Sequence, residues 1–391
     1  MNGTGAMPNK VKVLYVIERL ARAGTELHLL KLLTHLDRDR FEPVLCCLSA
    51  ESTDRSLLPS GMPCRLLDGR WNLLRPATIR LFFRLRRLIA EERPDILHSF
   101  LFVSNVMAPF AASRRHVRGI LISRGRMGIE WRANFAHRFL QRRADRRADL
   151  ITCKTEAMRF EIARVERVAL DKIQVVPNGV DLDRFRFQAG ALRESREFLE
   201  REFGVSVEGP LILAVGNLKP IKGHIHLARA AAEFLKRAPR AQFAIVGDGE
   251  SREGLRNEIK TLKLDRSVHL PGSLEDVRPW LRGADLFTAP SLSEGLPNAL
   301  LEAMAMGLPC VLSRIPGHLE VAGSAAWYFE PGNPESLAVA LGEAFHSPQL
   351  RAERGRALLE RVRAEYSVEA MCRRVEAVYD KILSKGQSRS V

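Results

Sequence analysis

The chain has 391 residues and a formal net charge of +15, a length that predicts roughly two to three domains of about 150 residues. Hydrophobic residues make up 46% and charged residues 27%, a globular mix that excludes intrinsic disorder and low complexity. Six scattered cysteines with no CxxC or Cys/His ligand spacing exclude a disulfide scaffold and a structural zinc site, and point to a reducing compartment.

The opening MNGTGAMPNK is polar and has no apolar segment of the kind a signal peptide needs. Residues 11–17 (VKVLYVI) predict a strand, followed by a helix from about Thr25 to Leu36 and a strand at 43–48. In ARAGTELHLL (21–30), Gly24 lets the backbone approach a ligand closely at the helix start, but the segment is not a GxGxxG. Residues 76–92 predict an amphipathic helix, with Leu81, Leu85 and Leu88 on one face and Arg80, Arg84 and Arg87 on another. The uncharged run Ile96 to Ser113 approaches membrane-spanning length, yet it holds His98, Asn105 and Pro109 and reads as a strand and a buried helix. Strands at 119–123, 149–153 and 172–177, alternating with helices, complete this half.

The charge is concentrated here. From Arg70 to Arg147 there are 18 Arg, no Lys and 5 acids, a local net of +13, so the rest is nearly neutral. This pattern suits either a solvated α/β surface or a helix lying on an anionic membrane. A second stretch, Arg138 to Arg147, has five Arg in ten residues. Aromatic residues barely interleave with it and no nucleic-acid motif accompanies it.

The pattern then restarts. Residues 178–208 read as a turn and a charged helix forming a hinge region. Strands are predicted at 211–217, 241–247, 267–272, 284–290, 309–313 and 326–330, and the last sixty residues are mostly helical. Such alternation predicts two α/β, doubly wound parallel-sheet domains, with a ligand cleft at the carboxyl ends of their strands.

Three segments carry chemistry. In PSLSEGLPNALLEAMAMGLPCV (290–311), a strand leads to a loop with Glu294 and Gly295, and Pro297 suits the first helical position. The amides of Asn298 and Ala299 at that helix start form a phosphate site with the helix dipole. Glu302 lies four residues on, on the same face, and carboxylates suit sugar hydroxyls. In LILAVGNLKPIKGH (211–224), Lys219 and Lys222 occupy a strand–loop–helix junction suited to a diphosphate. VGDGES (246–251) has Arg252 where a dinucleotide fingerprint needs its third glycine, which removes the main support for a nicotinamide oxidoreductase.

Together these motifs resemble the retaining nucleotide-sugar glycosyltransferases of family 4, which have the GT-B fold: two facing Rossmann-like domains with an interdomain cleft. The landmarks are AGTE near residue 24, HSFLF at 98–102, VVPNGVDLDRF at 175–185, VGNLKPIKG at 215–223, VGDGE at 246–250, LPG at 270–272 and the pair Glu294/Glu302. The resemblance implies an acceptor domain over 1–190 and a nucleotide-sugar domain over 191–366. It also implies a last helix, about 367–385, that crosses back to the first domain.

It further implies roles. Glu294, His98 and Lys222 are the expected catalytic residues, Glu294 and His98 near the donor sugar and Lys222 on the diphosphate. Glu302 is expected on the ribose, the amides of Asn298 and Ala299 on the diphosphate, and Gly272 to Leu274 near the base. Gly24, Asn217, Lys219, Gly295 and Leu296 complete the donor contacts. Thr25, Arg80, Arg84, Arg87, Arg124 and Arg126 are expected on the acceptor or membrane side. Two positions depart from the family pattern: Asn217 stands where Arg is usual, and Ala23-Gly24 replaces a double glycine. Asp181-Leu182-Asp183 matches the metal motif of another glycosyltransferase fold, but its place after PNGV suits a turn or cap.

The expected reaction is metal-independent transfer of a sugar from a UDP- or GDP-sugar to a hydroxyl acceptor, with no cofactor beyond that co-substrate. The acceptor implied is a lipid-linked or cell-surface polysaccharide or lipopolysaccharide precursor, met in the cytoplasm at the inner face of the cytoplasmic membrane. A nucleotide-sugar epimerase of the same fold is the alternative. A basic nucleic-acid- or membrane-binding protein is the alternative of another class.

Overall fold

The computed structural model describes residues 10–21, 24–69, 76–125, 135–186, 190–206 and 208–387. They form two compact units, one of residues 1–179 with 368–391 and one of residues 180–367. The chain leaves the first unit after Gly179, within the span predicted as hinge, and re-enters it at Val368.

The first unit holds a seven-stranded parallel sheet: β1 (Val11–Ile17), β2 (Phe41–Cys47), β3 (Cys64–Leu66), β4 (Ile96–Phe100), β5 (Gly119–Ser123), β6 (Leu150–Cys153) and β7 (Ile173–Val175), in the order β3-β2-β1-β4-β5-β6-β7. Its central strand is buried on both faces. Val13, Tyr15 and Ile17 enter one core cluster, and Leu14 and Val16 enter another, which is why β1 reads as a continuous apolar run rather than an alternating one. The first cluster is closed by the C-terminal helix Val368–Gln387, through Val368, Met371, Val375, Tyr379 and Ile382. The second is closed by the helices Pro76–Glu92, Phe102–Ala111 and Phe135–Arg147.

The second unit holds β8 (Leu211–Val215), β9 (Gln242–Val246), β10 (Val268–Gly272), β11 (Leu286–Ala289), β12 (Cys310–Ser313) and β13 (Trp327–Phe329), all parallel, in the order β10-β9-β8-β11-β12-β13. Leu211 and Leu213 of β8 face one core and Ile212 and Ala214 the other. The ends of this unit meet: Val180 pairs with Ser367, and its amide donates to Tyr366 O at 2.8 Å. In both sheets the winding reverses beside the first strand, between β1 and β4 and between β8 and β11. Ligands of open α/β sheets bind at the carboxyl ends of strands at such a reversal.

Among the described residues no helix is long and apolar enough to cross a membrane.

Candidate functional site

The loops after β8 and β11 meet at the reversal point of the second unit. The amide of Leu292 donates to Ile221 O at 2.8 Å. Gly223, at φ +66°, presses on Pro290 so closely that a Cβ there would stand 2.1 Å from its carbonyl oxygen. Only glycine fits both that backbone angle and that approach. The junction brings Lys222 against Glu294, which form an ion pair with side chains 24% and 12% exposed. Ser291 Oγ donates to the same carboxylate oxygen at 2.9 Å.

Past this pair, the helix Asn298–Ala305 begins. Pro297 is the residue before it, with extended backbone, rather than its first member as the sequence predicted. First-turn amides have no acceptor within their own helix. Asn298 and Ala299 supply two of them, and Glu302 stands one turn on, half-buried. A second helix, Pro316–Ala322, braces the loop from behind. A Cβ on Gly317 would lie 2.4 Å from Gly295 O and 2.8 Å from Glu294 O, so any larger residue must displace the Glu294 loop.

His318 follows it, fully buried, with Nδ1 held by the Ser313 carbonyl at 3.0 Å and its hydroxyl at 3.1 Å, and Nε2 without a partner. Burial pushes its pKa down to about 4, with the Glu294 carboxylate pulling the other way and Lys222 reinforcing the shift. The ring is therefore neutral near pH 7. His224, beside Lys222, is likewise pushed down to about 4 by burial.

The flanks of the site are tied to the same edge. Asn217 and Lys219 are exposed on the loop after β8, and Leu218 N donates to Asp248 O on the loop after β9. Gly272 ends β10, its carbonyl bonded to Gly247 N at 2.8 Å, and Arg252 reaches Leu270 O at 3.0 Å. Leu296 is 9% exposed and belongs to the hydrophobic core, and Leu274 packs against that core. Their side chains anchor the loops after β10 and β11. Asp181 caps its turn, accepting from the amides of Asp183 and Arg184.

The profile described as Glycosyltransferase Family 4 matches residues 22–184, and that described as Glycosyl transferases group 1 matches residues 209–347. The chain belongs to glycosyltransferase family 4. A UDP-Gal:α-D-GlcNAc-diphosphoundecaprenol α-1,3-galactosyltransferase from Escherichia coli is 37% identical over 150 residues, 38% of either chain. A D-inositol 3-phosphate glycosyltransferase from Corynebacterium jeikeium is 31% identical over 251 residues, 61% of this chain and 59% of that one. The chain thus spans less than two thirds of the curated relatives it matches. Among solved structures, Anabaena HepE in complex with UDP-glucose superposes with a TM-score of 0.81 at 19% identity, covering 95% of this chain and 99% of that one. This likeness establishes the GT-B fold.

The first unit of this family 4 chain contrasts with its sequence reading. Gly24 and Thr25 do open the helix Gly24–His35, at the carboxyl edge of the sheet. His98 is not at a strand end: it lies in the middle of β4, 1% exposed. Its Nδ1 is 2.8 Å from Tyr379 Oη and its Nε2 2.8 Å from Ser123 Oγ. Tyr379 uses its one proton on Tyr15, so His98 Nδ1 donates to Tyr379 and Nε2 accepts from Ser123. Burial holds the ring neutral. Both nitrogens are satisfied inside the core, so His98 stands among the buried residues of the sheet rather than at a strand end.

Arg124 is engaged within the unit as well. Its guanidinium lies between Asp145 at 2.7 Å and Glu166 at 2.6 Å, with the side chain 11% exposed. It joins two helices through these ion pairs. Burial pushes Glu166 up to about 7 despite the opposing arginine. Arg126 lies outside the described residues. Arg80, Arg84 and Arg87 are exposed as predicted, with Arg84 donating to Asp68 O at 3.0 Å and Arg87 paired with Glu91 at 2.7 Å.

Sequence reasoning missed Lys154, at the carboxyl end of β6. Its Nζ donates to His28 Nε2 at 2.9 Å, and both residues are 4% exposed. Burial pushes Lys154 down to about 7. A lysine directly after an apolar strand was the available signal.

Proposed function

We propose that the protein transfers a sugar from a nucleoside diphosphate sugar, UDP- or GDP-linked, to a hydroxyl of a lipid-linked or cell-surface glycan precursor, with retention and without a metal ion. The observation that carries the reading is the Lys222–Glu294 pair at the strand reversal, beside the helix start at Asn298. A donor exchanges that one ion pair for two sets of contacts: the diphosphate draws Lys222 and the helix amides, and the sugar hydroxyls donate to Glu294. Glu302 accepts from the ribose hydroxyls.

In the transfer, the bond from the anomeric carbon to the phosphate oxygen breaks and its electron pair leaves with the diphosphate. The acceptor oxygen bonds to that carbon on the same face, and its proton passes to the departing phosphate oxygen. Charge grows on the leaving group as the bond lengthens, so Lys222 and the amides act more strongly on the transition state than on the bound donor. The Escherichia coli relative's name specifies UDP-Gal and a diphosphoundecaprenol acceptor, which supports a lipid-linked acceptor. We place the membrane contact on the helix Pro76–Glu92, where Ile79 and Phe83 are each 61% exposed among the arginines, and with it propose the inner face of the cytoplasmic membrane as the place of work.

A thermal-shift panel of UDP, GDP, ADP and their sugars tests the donor class, since a tight ligand raises Tm by mass action. Hydrogen bonds to a charged group are worth about 1.5–3 kcal/mol. Glu302→Ala is therefore expected to weaken donor binding about tenfold to a hundredfold, while Lys222→Ala lowers turnover. Unchanged transfer by both variants would refute the site, and release of free sugar from donor alone would favour the epimerase.

A further inference from the structure

The opposite edge of the first unit's sheet carries a second charged feature. At the amino-terminal ends of β5, β6 and β7 lies a cavity of about 340 Å³, lined by Arg114, Arg146, Arg147, Lys172 and Lys385 with Asp149 and Asp171. Five cations face two carboxylates. It receives the end of the arginine stretch 138–147, which the transfer reaction leaves without a role.

The carboxylate of Asp149 is already engaged: Arg114 donates to it at 2.6 Å and the amide of Ile120 at 2.8 Å. A helix C-terminus repels anions through its last carbonyls. Here those carbonyls are occupied, Arg146 O by Lys172 at 3.1 Å and Arg147 O by Arg114 at 2.8 Å. Arg147 is held with its guanidinium carbon 5.1 Å from the centre of the Phe110 ring. Arg146 and Lys385 enter no ion pair among the described residues. The edge therefore presents pre-positioned guanidinium groups, whose fork geometry matches phosphate oxygens, beside the exposed Lys385 ammonium.

We propose that this cavity binds a phosphate-bearing anion, at a site separate from the carboxyl-edge loops of the same sheet. The chemistry is shared by free pyrophosphate and by phospholipid headgroups. The test is made in full-length protein carrying Lys222→Ala, so that the fate of the donor reading does not affect it. Binding of inorganic pyrophosphate is measured by calorimetry at low salt, and binding to phosphatidylglycerol vesicles by co-sedimentation, each with and without Arg146→Gln and Lys385→Gln together. A loss of roughly tenfold or more in pyrophosphate affinity, with Tm in the absence of ligand unchanged, is the expected result. Vesicle binding that depends on the two side chains, with no pyrophosphate binding, assigns the phosphate to a lipid. Equal binding of both probes to parent and variant, or binding of neither, overturns the proposal.

Discussion

Lys154 places an amine in the core, where its Nζ donates to the His28 imidazole. Lys154, His98 and Lys31 all lie close enough for repulsion to be felt at His28. Burial pushes the Lys154 pKa down to about 7, whereas an unfolded chain holds the lysine proton to about 10.4. Between these values the unfolded chain binds a proton that the folded chain does not, so stability rises as pH increases from about 7 to about 10 and the cost is constant below that window. The slope is about 1.4 kcal/mol per pH unit from this group. Lys154→Met is expected to flatten it, read as a smaller Tm gain between pH 7 and 9.5. An unaltered gain would place the proton elsewhere. The pairings of such residues were opaque in the sequence because the partners are remote in it. Lys222 meets Glu294 72 positions away, His98 meets Tyr379 281 positions away, and Arg124 takes carboxylates 21 and 42 positions away. Arg124 was expected on the acceptor or membrane side; in the fold two buried acids, Asp145 and Glu166, hold its guanidinium.

At the level of elements, the strands were legible because sheets buried on both faces are written as apolar runs. β3 was not, being a three-residue edge strand with no buried member. The helix Pro76–Glu92 shows both sides of this. Its buried face, Leu81, Leu85, Leu88 and Ile89, follows the predicted spacing. The exposed Ile79 and Phe83 do not serve that core, and the arginine pattern drew attention away from them. Burying two such side chains in an interface is worth about 1.5–3 kcal/mol each, comparable to about 1 kcal/mol for each arginine near an anionic surface. Replacing Ile79 and Phe83 with Ser is therefore expected to reduce co-sedimentation with phosphatidylglycerol vesicles about tenfold or more even at moderate salt, where arginine contacts are screened. If only arginine substitutions matter, the helix attracts the surface without inserting.

For the whole molecule, the decisive feature is that the second unit is one continuous segment inserted into the first. Its ends join at Val180 and Ser367, so residues 180–367 need nothing further along the chain to close their cores. The first unit depends on the C-terminal helix: Val368, Met371, Val375, Tyr379 and Ile382 are all at most 2% exposed. Five such side chains are worth on the order of 10 kcal/mol at about 1.5–3 kcal/mol each, which matches the whole stability of a typical domain at about 5–15 kcal/mol. Removing the helix also leaves the His98 ring without its Tyr379 acceptor. A chain ending at Ser367 is thus expected to lose the melting transition of the first unit while retaining that of the second, together with its nucleotide-induced shift. Residues 180–367 expressed alone are expected to show the same shift. Calorimetry of the three chains decides it: two intact transitions after removal of residues 368–391 would mean that the first unit closes its core without the helix.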